Sequence, residues 1–314
     1  PRGYIVDRNG VPLARAFPAY ALWYNPAALG GDGPPLVRKP QEVANSLAAI
    51  FPDLDPAVLG KRLAEGRPGY LRRRILPEDA NRIHQLGEPA LEFPRETERF
   101  YPQGSMAAHV LGFVGADGHG HIGMEQVYDQ RLSDPQQRGT AAVLSIDTRV
   151  QGALEDELMK GMLEANAKGA AGIVLDVDTG EVLALASLPA FNPNLIDRAG
   201  EGHIFNQVTN QVYELGSTFK PISIAAAIDA GVVTDMSRRY QSNRPLEIGG
   251  FSIRDSHSFG ASLNVPEALV HSSNIVTAQV ADQLGGERLN ATMRALGMNE
   301  RPYIELPARG FPLW

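Results

Sequence analysis

No cysteine occurs among the 314 residues, which excludes disulfide staples and thiolate metal sites. Lysine is also scarce, with five positions: Lys39, Lys61, Lys160, Lys168 and Lys220. No apolar run is long enough to span a bilayer, and no signal peptide is visible. No basic stripe is present, and with a formal net charge of −7 nothing calls for a nucleic-acid partner. Internal repeats and low-complexity tracts are absent. What remains is ordinary for a globular protein: 43% hydrophobic residues and enough length for two domains.

The scarcity of lysine makes Lys220 conspicuous. It alone lies three residues after a serine, in Glu214-Leu215-Gly216-Ser217-Thr218-Phe219-Lys220-Pro221. A serine hydroxyl is a poor nucleophile while it holds its proton. A lysine three positions on along a helix projects from nearly the same face, and a neutral amine there can take that proton. The apolar run Ile222–Ile228, ending near Gly231, predicts a buried helix with a glycine stop. Its start favours negative charge near Ser217. The competing reading is structural, with Ser217 as a helix cap and Lys220 as a solvated lysine.

A second element is His271-Ser272-Ser273-Asn274, ahead of the helical pattern Ile275–Ala281 that closes at Gly285-Gly286. Ser272 supplies a hydroxyl that can relay a proton, and Asn274 an amide that can hold a lysine and a substrate carbonyl. Considered without Ser217 and Lys220, capping is the better reading of both. The other Ser-x-Asn, Ser262-Leu263-Asn264, reads as structural, because Asn264-Val265-Pro266-Glu267 has an early proline and an acidic first turn.

Ser-x-x-Lys followed about fifty residues later by Ser-x-Asn resembles the penicillin-recognising acyl-serine enzymes. Further segments narrow the resemblance to class B penicillin-binding proteins. Arg2-Gly3-Tyr4-Ile5-Val6-Asp7-Arg8-Asn9-Gly10 resembles their first strand. Phe100-Tyr101-Pro102, Ala107 through Gly115 and Gly123-Met124-Glu125 resemble their non-catalytic pedestal. Glu214–Pro221 is similar to the acylation motif of the cell-division members. The resemblance runs from Arg2 to Trp314.

That resemblance implies an α+β protein, with a dimerisation-type pedestal over 1–137 and the amino-terminal part of a transpeptidase domain over 138–314. The transpeptidase domain would be an antiparallel sheet with flanking helices. Ser217 would attack a D-alanine carbonyl of a peptidoglycan stem peptide, carried by a lipid-linked precursor or by the wall. Lys220 would activate it, Ser272 would relay the proton, and Asn274 would hold Lys220 and the substrate amide. The Ser217 N–H would form half of an oxyanion hole. Beta-lactams would acylate the same serine. No cofactor and no metal is implied. A membrane glycosyltransferase and other divisome proteins are the implied partners. The implied place is the periplasmic face of the inner membrane, with an anchor upstream of residue 1. The family's third motif, Lys-Thr/Ser-Gly, is missing, since Lys220 is the last lysine and no Arg-Thr-Gly or Arg-Ser-Gly follows it. It is therefore expected beyond Trp314. A carboxypeptidase, a beta-lactamase, a beta-lactam sensor and a non-catalytic scaffold remain as alternatives.

The rest of the chain is readable in outline. Residues 4–24 read as short strands and turns. Helices are predicted over 42–50, 56–65, 77–86 and from about 150 to 166. Arg72-Arg73-Arg74 reads as a solvated or domain-contacting patch. Gly115–His121 lacks the lysine and context of a phosphate loop and reads as a flexible surface loop, with no acidic partner for His119 or His121. Asp134–Gly139 is the expected domain boundary. A strand is predicted over 142–146. Residues 172–177 and 181–186 flank Asp178-Thr179-Gly180 as a hairpin. The first of these strands is nearly all apolar, so both of its faces are expected to be buried.

Overall fold

The computed structural model describes residues 2–30, 34–307 and 310–311. Pro312–Trp314, where the sequence resemblance ends, lie outside the described residues. The chain is an α+β protein that divides into two compact units, residues 1–208 with 305–308, and 209–304 with 309–314.

The first unit is built on one long strand, Pro12–Tyr24. It pairs antiparallel with Ile5–Val6, Gly69–Ile75, Leu91–Glu92 and Arg95–Phe100. Ile5–Val6 also pairs in parallel with Ala142–Val143. The sequence pattern suggested short strands and turns here, but the strand runs unbroken through Pro18. Pro18 pairs with Thr97 in a stretch where Arg95–Phe100 is the neighbour, so its missing N–H breaks no second ladder. The predicted 142–146 strand is shorter, confined to Ala142–Val143.

Helices Pro40–Ile50, Pro56–Ala64 and Pro77–His84 cover this sheet. Each opens with proline, whose missing N–H is harmless in a first turn. Asp55 adds a side-chain cap, accepting from Ala57 N at 2.8 Å. Between helices and sheet lie Leu22, Tyr24, Leu47, Leu63, Ile75 and Ile83, all essentially inaccessible. Burying each such aliphatic side chain contributes about 1.5–3 kcal/mol.

The three arginines are held by neighbours. Arg72 pairs with Asp53 and lies over the Phe51 ring, Arg73 lies over Tyr70, and Arg74 pairs with Glu98. The Gly115–His121 loop is also more constrained than its composition suggested. His119 Nδ1 is 2.8 Å from Asp129 Oδ2, Gly120 N donates to Asp129 Oδ1 at 2.8 Å, and His121 is 3.1 Å from Asp117. The acidic partners lie ten positions along the chain and four back, too scattered to recognise as a cluster. Among the described residues no group of three His, Cys, Asp or Glu could hold a metal ion.

The predicted hairpin forms, from Ala170–Leu175 and Val182–Leu188, with Ile173 opposite Leu185. Asp176 closes the turn by accepting from Asp178 N and Thr179 N, both at 3.0 Å. Helix Thr148–Glu164 packs on it at Gly172, where a Cβ would come within 3.0 Å of Leu154 and Leu158. From the same helix, buried Gln151 donates to Leu185 O and accepts from Leu185 N, each at 2.9 Å. That side chain satisfies the free edge of the second strand there. The expectation that both faces of the first strand are buried is not met: Ile173 is 42% exposed and Leu175 50%. Among the described residues this sheet has two strands: Ala184–Leu188 of the second are buried, while Ile173 and Leu175 of the first are left partly uncovered.

In the second unit, helices Lys220–Asp229, Val265–Val270, Asn274–Leu284 and Gly286–Ala295 enclose a smaller core of Ile224, Ala227, Val233, Tyr240, Leu263, Val276, Val280 and Leu284. A short hairpin, Leu246–Ile248 with Phe251–Ile253, turns on Gly249 and Gly250, both at positive φ. No helix among the described residues is long and apolar enough to cross a membrane.

Candidate active site

Ser217 lies in a single 3-10 turn, Gly216–Phe219, that runs directly into the Lys220–Asp229 helix. Gly216 opens the turn at φ +56, a conformation that disfavours any side chain. Thr218 secures it, its N–H and its hydroxyl both donating to Leu215 O. The helix buries Ser223, Ile224, Ala226 and Ala227 and ends at Asp229, with Gly231 at positive φ just beyond it, near where the glycine stop was expected. Ser217 is exposed, and its hydroxyl makes no hydrogen bond among the described residues. Lys220 is half-buried.

Lys220 Nζ reaches across to the second motif. It donates to Ser272 Oγ at 2.9 Å and to the Ser272 carbonyl. Removal from water pushes its pKa below the ordinary lysine value of 10.5, while the negative charge of Asp255 acts in the opposite direction. The net effect favours the neutral amine relative to a free lysine.

The Ser272–Asn274 segment divides its duties among three residues. The middle serine, fully buried Ser273, is the helix cap: its Oγ accepts from Val276 N at 3.1 Å. Capping is thus done by the residue between the two candidates. Ser272, at φ +55, is turned toward Lys220. Asn274 Nδ2 donates to Arg254 O at 2.9 Å, and its Oδ1 makes no hydrogen bond among the described residues. The expected bond from Asn274 to Lys220 is not among the hydrogen bonds of the described residues. Asn264, set aside as structural, forms a reciprocal capping box with Glu267, at 2.8 and 2.9 Å.

One participant carried no sequence signal. Asp255 Oδ2 accepts from Ser273 Oγ at 2.7 Å, and its Oδ1 accepts from Asn274 N and Ile275 N. It stands 18 residues before Ser273, at no recognisable spacing, on the stretch that follows the short hairpin.

Ser217, Lys220, Ser272 and Asn274 thus all lie in one unit, and Lys220 joins the two motifs. The penicillin-binding protein transpeptidase domain matches residues 170–310, and the penicillin-binding protein dimerisation domain matches residues 1–164. The chain belongs to the class B penicillin-binding proteins. The first match covers the second unit and the long hairpin; the second covers the long-stranded sheet and its helices. Among relatives, this penicillin-binding protein is 37% identical over 313 residues to the probable peptidoglycan D,D-transpeptidase FtsI of Caulobacter vibrioides, covering 99% of this chain and 52% of the relative. It is 31% identical over 333 residues to the probable peptidoglycan D,D-transpeptidase PenA of Neisseria gonorrhoeae, covering 98% and 56%. With the peptidoglycan D,D-transpeptidase FtsI of Escherichia coli the identity is 30% over 328 residues, covering 97% and 55%. The chain spans about half the length of these relatives.

Proposed function

We propose that this penicillin-binding protein is an acyl-serine D,D-transpeptidase that crosslinks peptidoglycan stem peptides during cell division. The observation that carries this reading is the 2.9 Å hydrogen bond from Lys220 Nζ to Ser272 Oγ. It links two motifs that separately read as helix caps. The names of the relatives support the substrate class.

In this reading Ser217 Oγ attacks the carbonyl carbon of the penultimate D-alanine as its proton passes to Lys220. The departing D-alanine nitrogen takes a proton through Ser272, which already receives a hydrogen bond from Lys220. The acyl group then rests on Ser217 as an ester. An amine of a second stem peptide attacks that ester, and Ser217 regains its proton. The free Oδ1 of Asn274 accepts from the substrate amide, and the Ser217 N–H donates to the developing oxyanion. A beta-lactam follows the first half of the path. Its amide opens onto Ser217 and its leaving nitrogen stays tethered.

The same reading assigns residues 1–137 to a pedestal without chemistry and residues from 138 onward to the catalytic domain. The dimerisation-domain match to 1–164 supports a non-catalytic amino-terminal region. Partners are a lipid-linked precursor, a membrane glycosyltransferase and other division proteins at the periplasmic face of the inner membrane.

Labelling with a fluorescent penicillin tests the reading. A label that survives denaturation and persists for hours supports it. A label that disappears within minutes points to a hydrolase, and no label points to a scaffold; either overturns the transpeptidase reading.

A further inference from the structure

Asn274 commits only one end of its side chain within the protein. Nδ2 donates to Arg254 O at 2.9 Å, and Oδ1 is left for a substrate amide. The scissile amide is engaged by Ser217, so the amide that remains for Asn274 is the one on the amino side of the penultimate D-alanine. The two ends of Asn274 belong to one planar carboxamide. A substrate amide seated on Oδ1 therefore lies one carboxamide away from the Arg254 backbone, a separation shorter than an arginine side chain.

The Arg254 backbone is held in place. The strand before it, Phe251–Ile253, pairs with Leu246–Ile248, with Ile253 opposite Leu246. Asp255, next in the chain, accepts from the Ser273 hydroxyl at 2.7 Å and from Ile275 N at 3.0 Å. Four residues further on, the Phe259 ring stacks at 4.8 Å on His271, the residue before Ser272. Residues 254–259 are thus fastened at both ends to the segment that carries Ser272 and Asn274.

The Arg254 side chain is not held. It is exposed, and among the described residues its guanidinium makes no hydrogen bond, ion pair or ring contact. Other arginines of this unit are engaged: Arg238 lies over the Tyr240 ring, and Arg239 pairs with Glu267 at 3.1 Å. Asp255 does not neutralise Arg254, because its oxygens are taken by Ser273 and the helix start. A free guanidinium on the surface is ordinary by itself. One on a fixed backbone beside the amide-binding Asn274 is placed to meet the substrate, and its rigid fork of donors matches a carboxylate.

We propose that Arg254 is a specificity-determining residue for the donor peptide: its guanidinium takes a free side-chain carboxylate on the residue that precedes the penultimate D-alanine. The amide joining those two residues sits on Asn274 Oδ1. This rests on the catalytic reading of Ser217, Lys220, Ser272 and Asn274.

Two thioester donors test the proposal. Both end in a D-alanyl thioester, so attack by Ser217 Oγ forms an ester and releases a thiol. They differ at the preceding residue, which carries a side-chain carboxylate in one and the matching carboxamide in the other. The readout is the ratio of their second-order acylation rates within each protein, so a general loss of activity cancels. The wild type should favour the carboxylate donor by about tenfold or more, the scale of hydrogen bonds to a charged group. Arg254→Gln keeps the backbone carbonyl that holds Asn274 and should bring the ratio to about one. Arg254→Lys keeps the charge without the fork and should retain part of the preference. Arg254→Glu should invert it. Equal rates for the two donors in the wild type, whether both fast or both undetectable, overturn the proposal, and so does a full ratio in Arg254→Gln. Should Arg254→Gln not fold, an undiminished ratio in Arg254→Lys does so instead. These outcomes leave the catalytic reading intact where benzylpenicillin acylates Ser217. A wild-type protein that benzylpenicillin does not acylate on Ser217 overturns the catalytic reading itself.

Discussion

Lys220 and Ser272, 52 residues apart in the chain, are joined by a 2.9 Å hydrogen bond from Nζ to Oγ. Each residue has a bland local explanation, as a first-turn lysine and as a serine beside a helix. The bond between them does not, because burying a lysine amine against two oxygens of one serine costs hydration that a solvated lysine keeps.

Lys220→Arg should remove acylation while leaving the fold unchanged. Arginine preserves the positive charge but does not give up a proton near neutral pH. The acylation rate should fall at least a hundredfold, the usual scale of losing a general base, while circular dichroism and the unfolding midpoint stay near wild type. In the wild type the rate should rise with pH through a value below the ordinary 10.5 of lysine, because desolvation lowers the Lys220 pKa. Normal acylation by Lys220→Arg would make the lysine structural.

Ser272 offers a contrast between strain and chemistry. Its left-handed backbone costs a side-chain-bearing residue about 1–2 kcal/mol. Glycine escapes that cost but loses about 0.4–1 kcal/mol through extra freedom in the unfolded chain. The strain is the larger quantity, so Ser272→Gly should unfold at a slightly higher temperature than Ser272→Ala. Both should be acylated slowly, since neither has a hydroxyl. A glycine variant less stable than the alanine variant would show that the backbone is not strained there.

Buried charge dominates the amino-terminal unit at Glu125. Its carboxylate is fully buried between Arg99, at 2.6 Å, and Arg2, at 2.7 Å. Arg99 also donates to Gly3 O at 2.6 Å, so this cluster ties the first residues of the chain to the sheet. Glu125→Ala would leave two guanidinium groups without their counter-charge, and breaking such a pair costs about 3–5 kcal/mol. Denaturant unfolding of the wild type and Glu125→Ala measures this; a loss under about 1 kcal/mol would mean that water replaces the carboxylate easily.

The His119–Asp129 pair should give this unit a pH dependence. The hydrogen bond from His119 to Asp129 raises the histidine pKa above its ordinary 6.5. The protonated ring therefore stabilises the fold fully below 6.5, and that contribution fades as pH rises through the raised value. Burial alone would raise the Asp129 carboxyl, but hydrogen bonds from His119, Gly120 and Arg2 outweigh it and hold its pKa at about 2. Its contribution is present above 3.8 and fades as pH falls toward about 2. His119 is largely solvated, so its effect should be small. A proton NMR titration of His119 should give a pKa above 6.5, and Asp129→Asn should lower it. No response to Asp129→Asn would mean that the pair does not persist in solution.

The candidate site was legible where its motifs are local. Ser217 and Lys220 are close in sequence at the entry to one helix, and Ser272 and Asn274 flank the start of another. The hairpin over 170–188 was legible through Asp178-Thr179-Gly180. What escaped was tertiary. Asp255 meets Ser273 through a loop of no fixed length, and Ser273 looked like a spacer until its side chain was seen to cap the helix. The 13-residue strand read as short strands and turns, because the one-sided pairing that lets it run through Pro18 is invisible in sequence. The apolar face of Ile173 and Leu175 misled in the other direction, because hydrophobic pattern reports what could be buried, not what covers it.

The most direct test of the central claim is the site of covalent attachment. The protein is treated with benzylpenicillin, digested, and its peptides analysed by mass spectrometry. The penicilloyl group is expected on the peptide containing Ser217, and Ser217→Ala should abolish it. An adduct on Ser272, or one that persists in Ser217→Ala, would contradict the assignment of Ser217 as the nucleophile.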